Sequence, residues 1–303
     1  MNKNLFVKLI AHPRCIVVLQ VAPLAGKGKY VMINSIGILG FGNMGEAIAK
    51  GVLKTHPDCK IFVYDKSKEK MENIFSSYIE KTQSYKELFT YADTIIFAVK
   101  PQDINIVLEE ITSSSSASSC SSGKNIISII AGKPISLFAQ KIKTNNICRF
   151  MPNIAAQSSS SSTAVSFYKK ADEEFKKGAI VIAESIGRAF VIPEKQMAAF
   201  TALSGSGIAF VFQFIHALAM GGERAGLSYD DSLKISAEVL KGAYETLKSS
   251  GKMPADLVTA VSSPAGTTVK GLSVLEEKAF NSAVADAVLA AFNRAVEIEK
   301  LSE

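Results

Sequence analysis

The chain has 303 residues, enough for two domains with separate cores, and its 48% hydrophobic and 20% charged residues are those of a globular protein rather than a disordered one. The formal net charge of +6 is concentrated at the start: Lys3, Lys8, Arg14, Lys27 and Lys29, with no acid before residue 32, supply five of the six charges. The near-neutral remainder is a poor match for a phosphate backbone and excludes nucleic acid as the expected partner.

Residues 1–31 form a basic, acid-free leader or extension with the apolar run Cys15–Leu19. That composition fits a targeting peptide for an organelle or a signal peptide, and it fits equally a functional protein that begins at Met32. Gln20, Pro23 and Gly26 break the apolar run too early for a membrane span.

The following elements alternate. Ile36–Leu39 reads as a buried strand, Met44–Leu53 as a helix, Lys60–Tyr64 as a strand, and Ser67–Phe75 as a charged helix. Thr94–Val99 is an apolar strand stopped by Lys100-Pro101. Gln102–Ile111 is helical, Asn125–Ile130 a strand, Ile135–Ile142 a helix, and Asn146–Phe150 a short strand. This alternation predicts an α/β, Rossmann-like doubly wound domain over residues 32–193. Two serine tracts interrupt it. Residues 113–122 read as a surface loop, and residues 158–162 fall where a more structured loop is expected.

Beyond Pro193 the pattern is helical only: Glu194–Ala225, Tyr229–Ser249, Pro254–Val261 and Lys278–Leu301. Residues 194–303 are therefore expected to form an all-α C-terminal domain. Ile208–Met220 is apolar nearly all round and too short to span a bilayer. A helix apolar on every face needs burial on every face, which a homodimer with interleaved helices provides.

Gly40-Phe41-Gly42-Asn43-Met44-Gly45 is the GxGxxG pattern placed between a strand and a helix, the context that a dinucleotide site requires. Gly40 permits the tight turn, Gly42 lets a pyrophosphate approach, and Gly45 lets the helix pack on the strand. Asp65, twenty residues on, suits a ribose 2′-hydroxyl and NADH. Lys66, Ser67 and Lys68 suit a 2′-phosphate and NADPH, so the cofactor stays open between the two. Ala98, Val99, Lys100 and Pro101 end the Thr94–Val99 strand on the side where ligands of open α/β sheets bind. Four dispersed cysteines and three scattered histidines give no metal-ligand spacing, and no metal is expected.

In the second half, Pro264-Ala265-Gly266 makes a tight turn from which Thr267 and Thr268 open a helix toward Leu275. Backbone amides and hydroxyls converging there form an anion cradle suited to a carboxylate, or a plain threonine cap. The stretch Met253–Glu276 resembles the signature segment of pyrroline-5-carboxylate reductases. The glycine turn, Ala98–Pro101, Arg149–Asn153 and Leu203–Gly207 stand in that family's order, and the likeness runs from about Ile36 to Leu301. The resemblance implies NAD(P)H-dependent reduction of 1-pyrroline-5-carboxylate to L-proline, an all-α substrate-binding and dimerisation domain, and a homodimer assembled into a larger homo-oligomer. It implies substrate contacts at Val261, Ser263, Gly266, Thr267 and Thr268, with the Thr268 hydroxyl at the imine nitrogen in the catalytic role. A cytoplasmic location follows, or an organelle if the leader is a targeting peptide, with no membrane partner. The chain departs from the family at Ile154, Ala155, Ser161, Ile208, His216, Val258, Thr259 and Ala265. A related 3-hydroxyacid dehydrogenase would need a catalytic lysine, which Val258 does not supply. A non-catalytic dinucleotide-binding protein is the other alternative.

Overall fold

The structure is a computed structural model that describes residues 33–301, apart from 73, 75 and 113–122. The leader and the first serine tract therefore lie outside the described residues. The chain forms two compact units. One runs to Ser204 and takes back the chain from Ala295, and the other is Gly205–Arg294.

The first unit is built on an eight-stranded sheet. In chain order the strands are β1 Ser35–Leu39, β2 Lys60–Tyr64, β3 Ile79–Lys81, β4 Thr94–Phe97, β5 Asn125–Ser128, β6 Ile147–Met151, β7 Ser161–Phe167 and β8 Gly187–Val191. Their spatial order is β3-β2-β1-β4-β5-β6-β7-β8. The first six are parallel, β7 runs antiparallel to β6, and β8 is parallel to β7. The order turns back between β1 and β4, which opens a crevice beyond their carboxyl ends.

The expected strands form because their residues are apolar on both faces of the sheet. Ile36, Ile38, Ile61, Val63, Ile96, Ile127, Cys148 and Phe150 pack on one side, with Ile48 and Val52 of helix α1 (Asn43–Thr55) and Ala179 and Ile182 of the helix Glu173–Ser185. Leu39, Phe62, Ile95, Phe97, Ile126 and Ile147 pack on the other, with Leu88, Leu108 and Phe138. Those three lie on α3 (Tyr85–Tyr91), α4 (Ile104–Thr112) and α5 (Ile135–Lys141), while the short α2 (Lys68–Glu72) buries nothing. The helix Glu173–Ser185 is α6.

Several elements depart from expectation. Of the helix expected over Ser67–Phe75, Lys68–Glu72 forms α2, and residues 73 and 75 lie outside the described residues. β3, α3, β7, α6 and β8 were not expected at all. The second serine tract is split: Ser158 ends a 3-10 turn, Ser159 is left-handed at φ 54°, and Ser161 and Ser162 begin β7. The apolar helix also belongs to a longer run. The chain is helical from Glu194 to Arg224 through α7 (Met197–Phe200), a π-helical stretch Thr201–Ser206 and α8 (Gly207–Arg224). That run of 31 residues is long and apolar enough to cross a membrane, so length does not exclude a span as the shorter apolar segment suggested.

The second unit contains most of α8, then α9 Tyr229–Ser250, α10 Pro254–Ala260, α11 Thr267–Glu277 and the larger part of α12 Phe280–Lys300. Only Ala219, Ser232 and Ser236 are buried in it. Phe212, Leu218, Ile235, Val239, Val284 and Leu289 all face outward.

Candidate active site

The glycine turn lies between β1 and α1, beside β4. Gly40 has φ +98°, and a Cβ on it would meet the Ala98 carbonyl at 2.7 Å and the Val99 nitrogen at 2.8 Å. Its own N–H donates to the Tyr64 carbonyl at 2.8 Å, and the Ala98 N–H donates to the Leu39 carbonyl at 2.8 Å. The ends of β1, β2 and β4 are thus bonded at this turn. Gly45 is needed for a different contact, because its Cβ would lie 2.5 Å from the Gly40 carbonyl oxygen. Gly42 differs from both: a Cβ there meets nothing within 4 Å. Its backbone is extended at the N-cap of α1, no side chain caps the helix, and the first intrahelical bond runs from the Glu46 N–H to the Gly42 carbonyl at 2.9 Å. The amides of Asn43, Met44 and Gly45 precede that bond, so the helix offers donors and a partial positive charge to a phosphate.

Asp65, at the end of β2, is 7% exposed and reaches back to this turn. Its Oδ2 accepts the Phe41 N–H at 2.8 Å, its Oδ1 accepts the Ser67 N–H at 2.9 Å, and the Lys70 ammonium stands 3.4 Å from Oδ2. The Phe41 ring is buried. Phe41 therefore anchors the turn, and its amide is committed to Asp65. Lys66 points elsewhere, to Asp103 at 3.1 Å. Lys100 and Pro101 are exposed beyond β4, and the Lys100 carbonyl accepts the Asp103 N–H at 3.0 Å.

The second cluster lies in the other unit. Val261 ends α10 and is 67% exposed. The Gly266 N–H donates to the Ser263 carbonyl at 3.0 Å, which closes the turn expected over Pro264–Gly266. Ser263 Oγ lies where a Cβ on Gly266 would be, so no larger residue fits there without moving the hydroxyl. Gly266 is the N-cap of α11 with no side-chain cap. Thr267 and Thr268 form the first turn, and the Lys270 N–H is the one that reaches the Gly266 carbonyl, at 3.3 Å. The threonine alternative, a hydroxyl spent on capping, is therefore not what the helix uses. Ser263, Thr267 and Thr268 are all exposed. Ala265, a position of departure from the family resemblance, stands at φ 59°.

Two segments of the resemblance are also joined. Asn153 Nδ2 donates to Ser204 Oγ at 3.0 Å and to the Ser204 carbonyl at 3.3 Å, and Ser204 Oγ donates to the Ser162 carbonyl at 3.0 Å. The Asn153 side chain also accepts the Ala155 N–H at 3.1 Å, and the Asn153 backbone N–H donates to Ser161 Oγ at 3.0 Å. His216, at a position of departure, has its Nδ1 2.9 Å from the Tyr229 hydroxyl. Among the described residues no three of His, Cys, Asp or Glu are grouped as a metal site.

Residues 194–298 match the family model for pyrroline-5-carboxylate reductase dimerisation, and residues 35–132 match that for NADP oxidoreductase, coenzyme F420-dependent. The chain is 34% identical over 259 residues to the pyrroline-5-carboxylate reductase of Aquifex aeolicus, covering 85% of this chain and 95% of that one. The chain belongs to the pyrroline-5-carboxylate reductase family. The Arabidopsis thaliana member is 32% identical, over 88% of this chain and 95% of its own. The crystal structure of the Plasmodium falciparum pyrroline carboxylate reductase with NADP bound superposes with a TM-score of 0.77 at 30% identity, over 88% of this chain and 98% of that one. The family's combination of a dinucleotide-binding sheet and a helical domain is the one expected from the residues.

Proposed function

We propose that the protein reduces 1-pyrroline-5-carboxylate to L-proline with NADPH or NADH. One observation carries the reading: a chain of this family presents an open glycine turn at the sheet's switch point and, on α11, an uncapped helix start flanked by Ser263 and Thr268. The reduced nicotinamide supplies a hydride to C5 of the C=N bond, and the ring nitrogen ends with a proton as the amine of proline.

The chain's own residues bind and orient. The α1 amides and Gly42 hold the pyrophosphate, and Asp65 to Ser67 and Ala98 to Pro101 surround the nucleoside parts. Ser263 and the Thr267 and Thr268 amides hold the carboxylate, with Val261 and Gly266 completing the cradle. The Thr268 hydroxyl contacts the imine nitrogen. A protonated imine is already electrophilic, so orientation suffices without a strong acid or a metal. Residues 194–303 serve as the substrate-binding and dimerisation domain, and residues 32–193 as the dinucleotide-binding domain. The outward apolar residues of α8 and α9 support a homodimer and its assembly into a larger ring, which sedimentation of the purified protein measures. A monomer at micromolar concentration would refute it. The enzyme works without nucleic acid or membrane partners, in the cytoplasm or, if the leader targets it, in an organelle; imaging of a tagged full-length chain distinguishes the two.

The decisive assay is pyrroline-5-carboxylate-dependent loss of reduced-nicotinamide absorbance with proline as product. Thr268→Ala keeps cofactor affinity and loses about tenfold or more in kcat/KM, since a hydroxyl contact contributes about 1–3 kcal/mol. Unchanged kcat/KM removes Thr268 from the reaction.

A further inference from the structure

Two positions at which the chain departs from the family, Ala155 and Ser161, meet at one side chain. Asn153 follows β6 at the carboxyl edge of the parallel strands. Its Oδ1 accepts the Ala155 N–H at 3.1 Å, and its backbone N–H donates to Ser161 Oγ at 3.0 Å. Ser161 is 1% exposed, and its hydroxyl also pairs with that of Thr163 at 3.0 Å. A proline at 155 would have no N–H and a glycine at 161 no hydroxyl, so both bonds depend on the residues this chain has. They also settle which way the Asn153 carboxamide faces. A backbone N–H only donates, so the oxygen must meet Ala155 and the nitrogen is left for Ser204. Nδ2 donates there to Oγ at 3.0 Å and to the carbonyl at 3.3 Å, and the Ser204 hydroxyl passes its own hydrogen to the Ser162 carbonyl at 3.0 Å.

Ser204 lies in the π-helical stretch Thr201–Ser206. A π turn is rarer and less stable than the α turn it replaces, so one that persists needs support from outside the helix. Here the Asn153 amide takes both polar groups of Ser204. A dinucleotide lies across the switch point of such a sheet, one half on each set of strands. The glycine turn and Asp65 belong to β1 and β2, so the nicotinamide half falls beyond β4 to β6, the edge where Asn153 stands. We infer that Asn153 is a positioning residue for hydride transfer and that Ser161 positions Asn153. Asn153 keeps the turn at Ser204 π-helical, and that turn is a fixed wall for the nicotinamide end of the crevice. Relaxation to an α turn would shift its register by one residue, about 1.5 Å along the axis. Misplacement by about 1 Å is enough to slow a reaction about a hundredfold. The inference rests on the glycine turn as the dinucleotide site and on the reaction proposed above.

The test compares the wild type with Asn153→Asp, Ser204→Ala, the two combined, and Ser161→Ala. Aspartate at 153 still accepts the Ala155 N–H but donates nothing to Ser204. Three quantities are read: kcat with pyrroline-5-carboxylate per nucleotide-binding site, the dissociation constant of NADH or NADPH, and the fluorescence emission of that nucleotide when bound, which reports the surroundings of the nicotinamide ring. Asn153→Asp and Ser204→Ala each lower kcat about tenfold or more and shift the bound emission. The dissociation constant changes less than about threefold, because the pyrophosphate and adenosine are held elsewhere. The combined variant is no slower than the slower single one, since both remove the same bond. Ser161→Ala gives a smaller loss of the same kind, and wild-type kcat in it overturns the part assigned to Ser161. Unchanged kcat per site in both Asn153→Asp and Ser204→Ala overturns the inference, as does a loss that multiplies when they are combined. A loss only in the number of binding sites overturns it too, since that is an effect on folding. A wild type that binds nucleotide without reducing the pyrroline defeats the proposed reaction, and the emission then decides: a shift in the variants upholds the placement of Asn153, and an unchanged emission overturns it. Binding of neither nucleotide overturns it together with the reading of the glycine turn.

Discussion

Gly40 and Gly42 stand two residues apart in one motif, yet the structure gives them opposite tasks. Gly40 satisfies the protein itself: its φ is positive and the Ala98–Val99 backbone fills the place of a side chain. Gly42 leaves open space within the protein, the space that the proposed function gives to the pyrophosphate. Two substitutions separate these tasks. Gly42→Val folds with wild-type stability and loses NAD(P)H affinity by at least about a hundredfold, roughly 2.7 kcal/mol. Gly40→Ala lowers stability itself, by about 1–2 kcal/mol from the left-handed strain and by more from the clash. Thermal melts and nucleotide titrations of the two variants check this, and a destabilised Gly42→Val would show that the space is not open. Ala265 is the reverse case. At φ 59° it carries a methyl group where glycine would be relaxed. Ala265→Gly therefore raises stability or leaves it level, the strain relieved being about 1 kcal/mol against the greater freedom that glycine gives the unfolded chain. A fall in unfolding free energy of more than about 1 kcal/mol would show that the strain is not there.

Among the elements, those that the sequence discloses are the ones buried on both faces. β1, β2, β4 and β5 are short apolar runs, and no solvated face confuses them. β7 hides because its residues are mostly small and polar. Its hydroxyls are satisfied internally: Ser161 and Thr163 bond each other at 3.0 Å, and Ser166 donates to the Ile192 carbonyl at 2.7 Å. A serine tract can thus be strand when its buried hydroxyls have partners, and that condition is tertiary. β3 is only three residues long, with Glu80 and Lys81 exposed. The missed helices did carry signals. Ser84 caps α3, its Oγ accepting the Glu87 N–H at 3.2 Å, and the Glu87 side chain accepts the N–H of the preceding Gln83 at 2.6 Å. Asp172 caps α6 by accepting the Phe175 N–H at 2.7 Å. The candidate sites were legible as segments, because glycine turns and helix starts are local. The Asp65–Phe41 bond was not, since it joins residues 24 apart through sheet pairing.

One ion-pair cluster also joins distant elements. Arg149 of β6, 3% exposed, lies 3.6 Å from Glu194 at the start of the long helical run and 3.0 Å from Glu299 near the end of α12. Glu194 accepts the Ile135 N–H at 2.7 Å, which caps α5 as well. Removing the guanidinium strands two acids, but each is about one-third exposed and recovers water. Arg149→Met therefore costs about 2–3 kcal/mol, the low end for a broken buried pair. Urea denaturation at constant m reads the change, and a loss below about 0.5 kcal/mol would show that the cluster is solvated.

At the scale of the whole molecule, burial divides unevenly between the units. The sheet has two packed faces, whereas the helical unit keeps three buried residues and turns its large apolar side chains outward. Stability measured on this chain thus mixes the folding of the sheet with the association of the helices, and melts depend on protein concentration.

The cysteines of the sheet offer a way to watch the first process alone. Cys59 and Cys148 are buried, and burial pushes the Cys59 thiol up from 9.0 to about 11 and Cys148 well above its usual range. Above pH 9 the unfolded chain ionises these thiols while the folded chain holds them protonated, so folding stability declines as pH climbs toward 11. Equilibrium denaturation across that interval measures the decline, and a flat profile would contradict the burial. With Cys15 and Cys120 replaced by serine, both remaining sulfurs stay closed to alkylating reagents until the sheet opens. Their rate of labelling would then count openings of the nucleotide-binding half one molecule at a time, a stopwatch that runs whether or not the helices are paired.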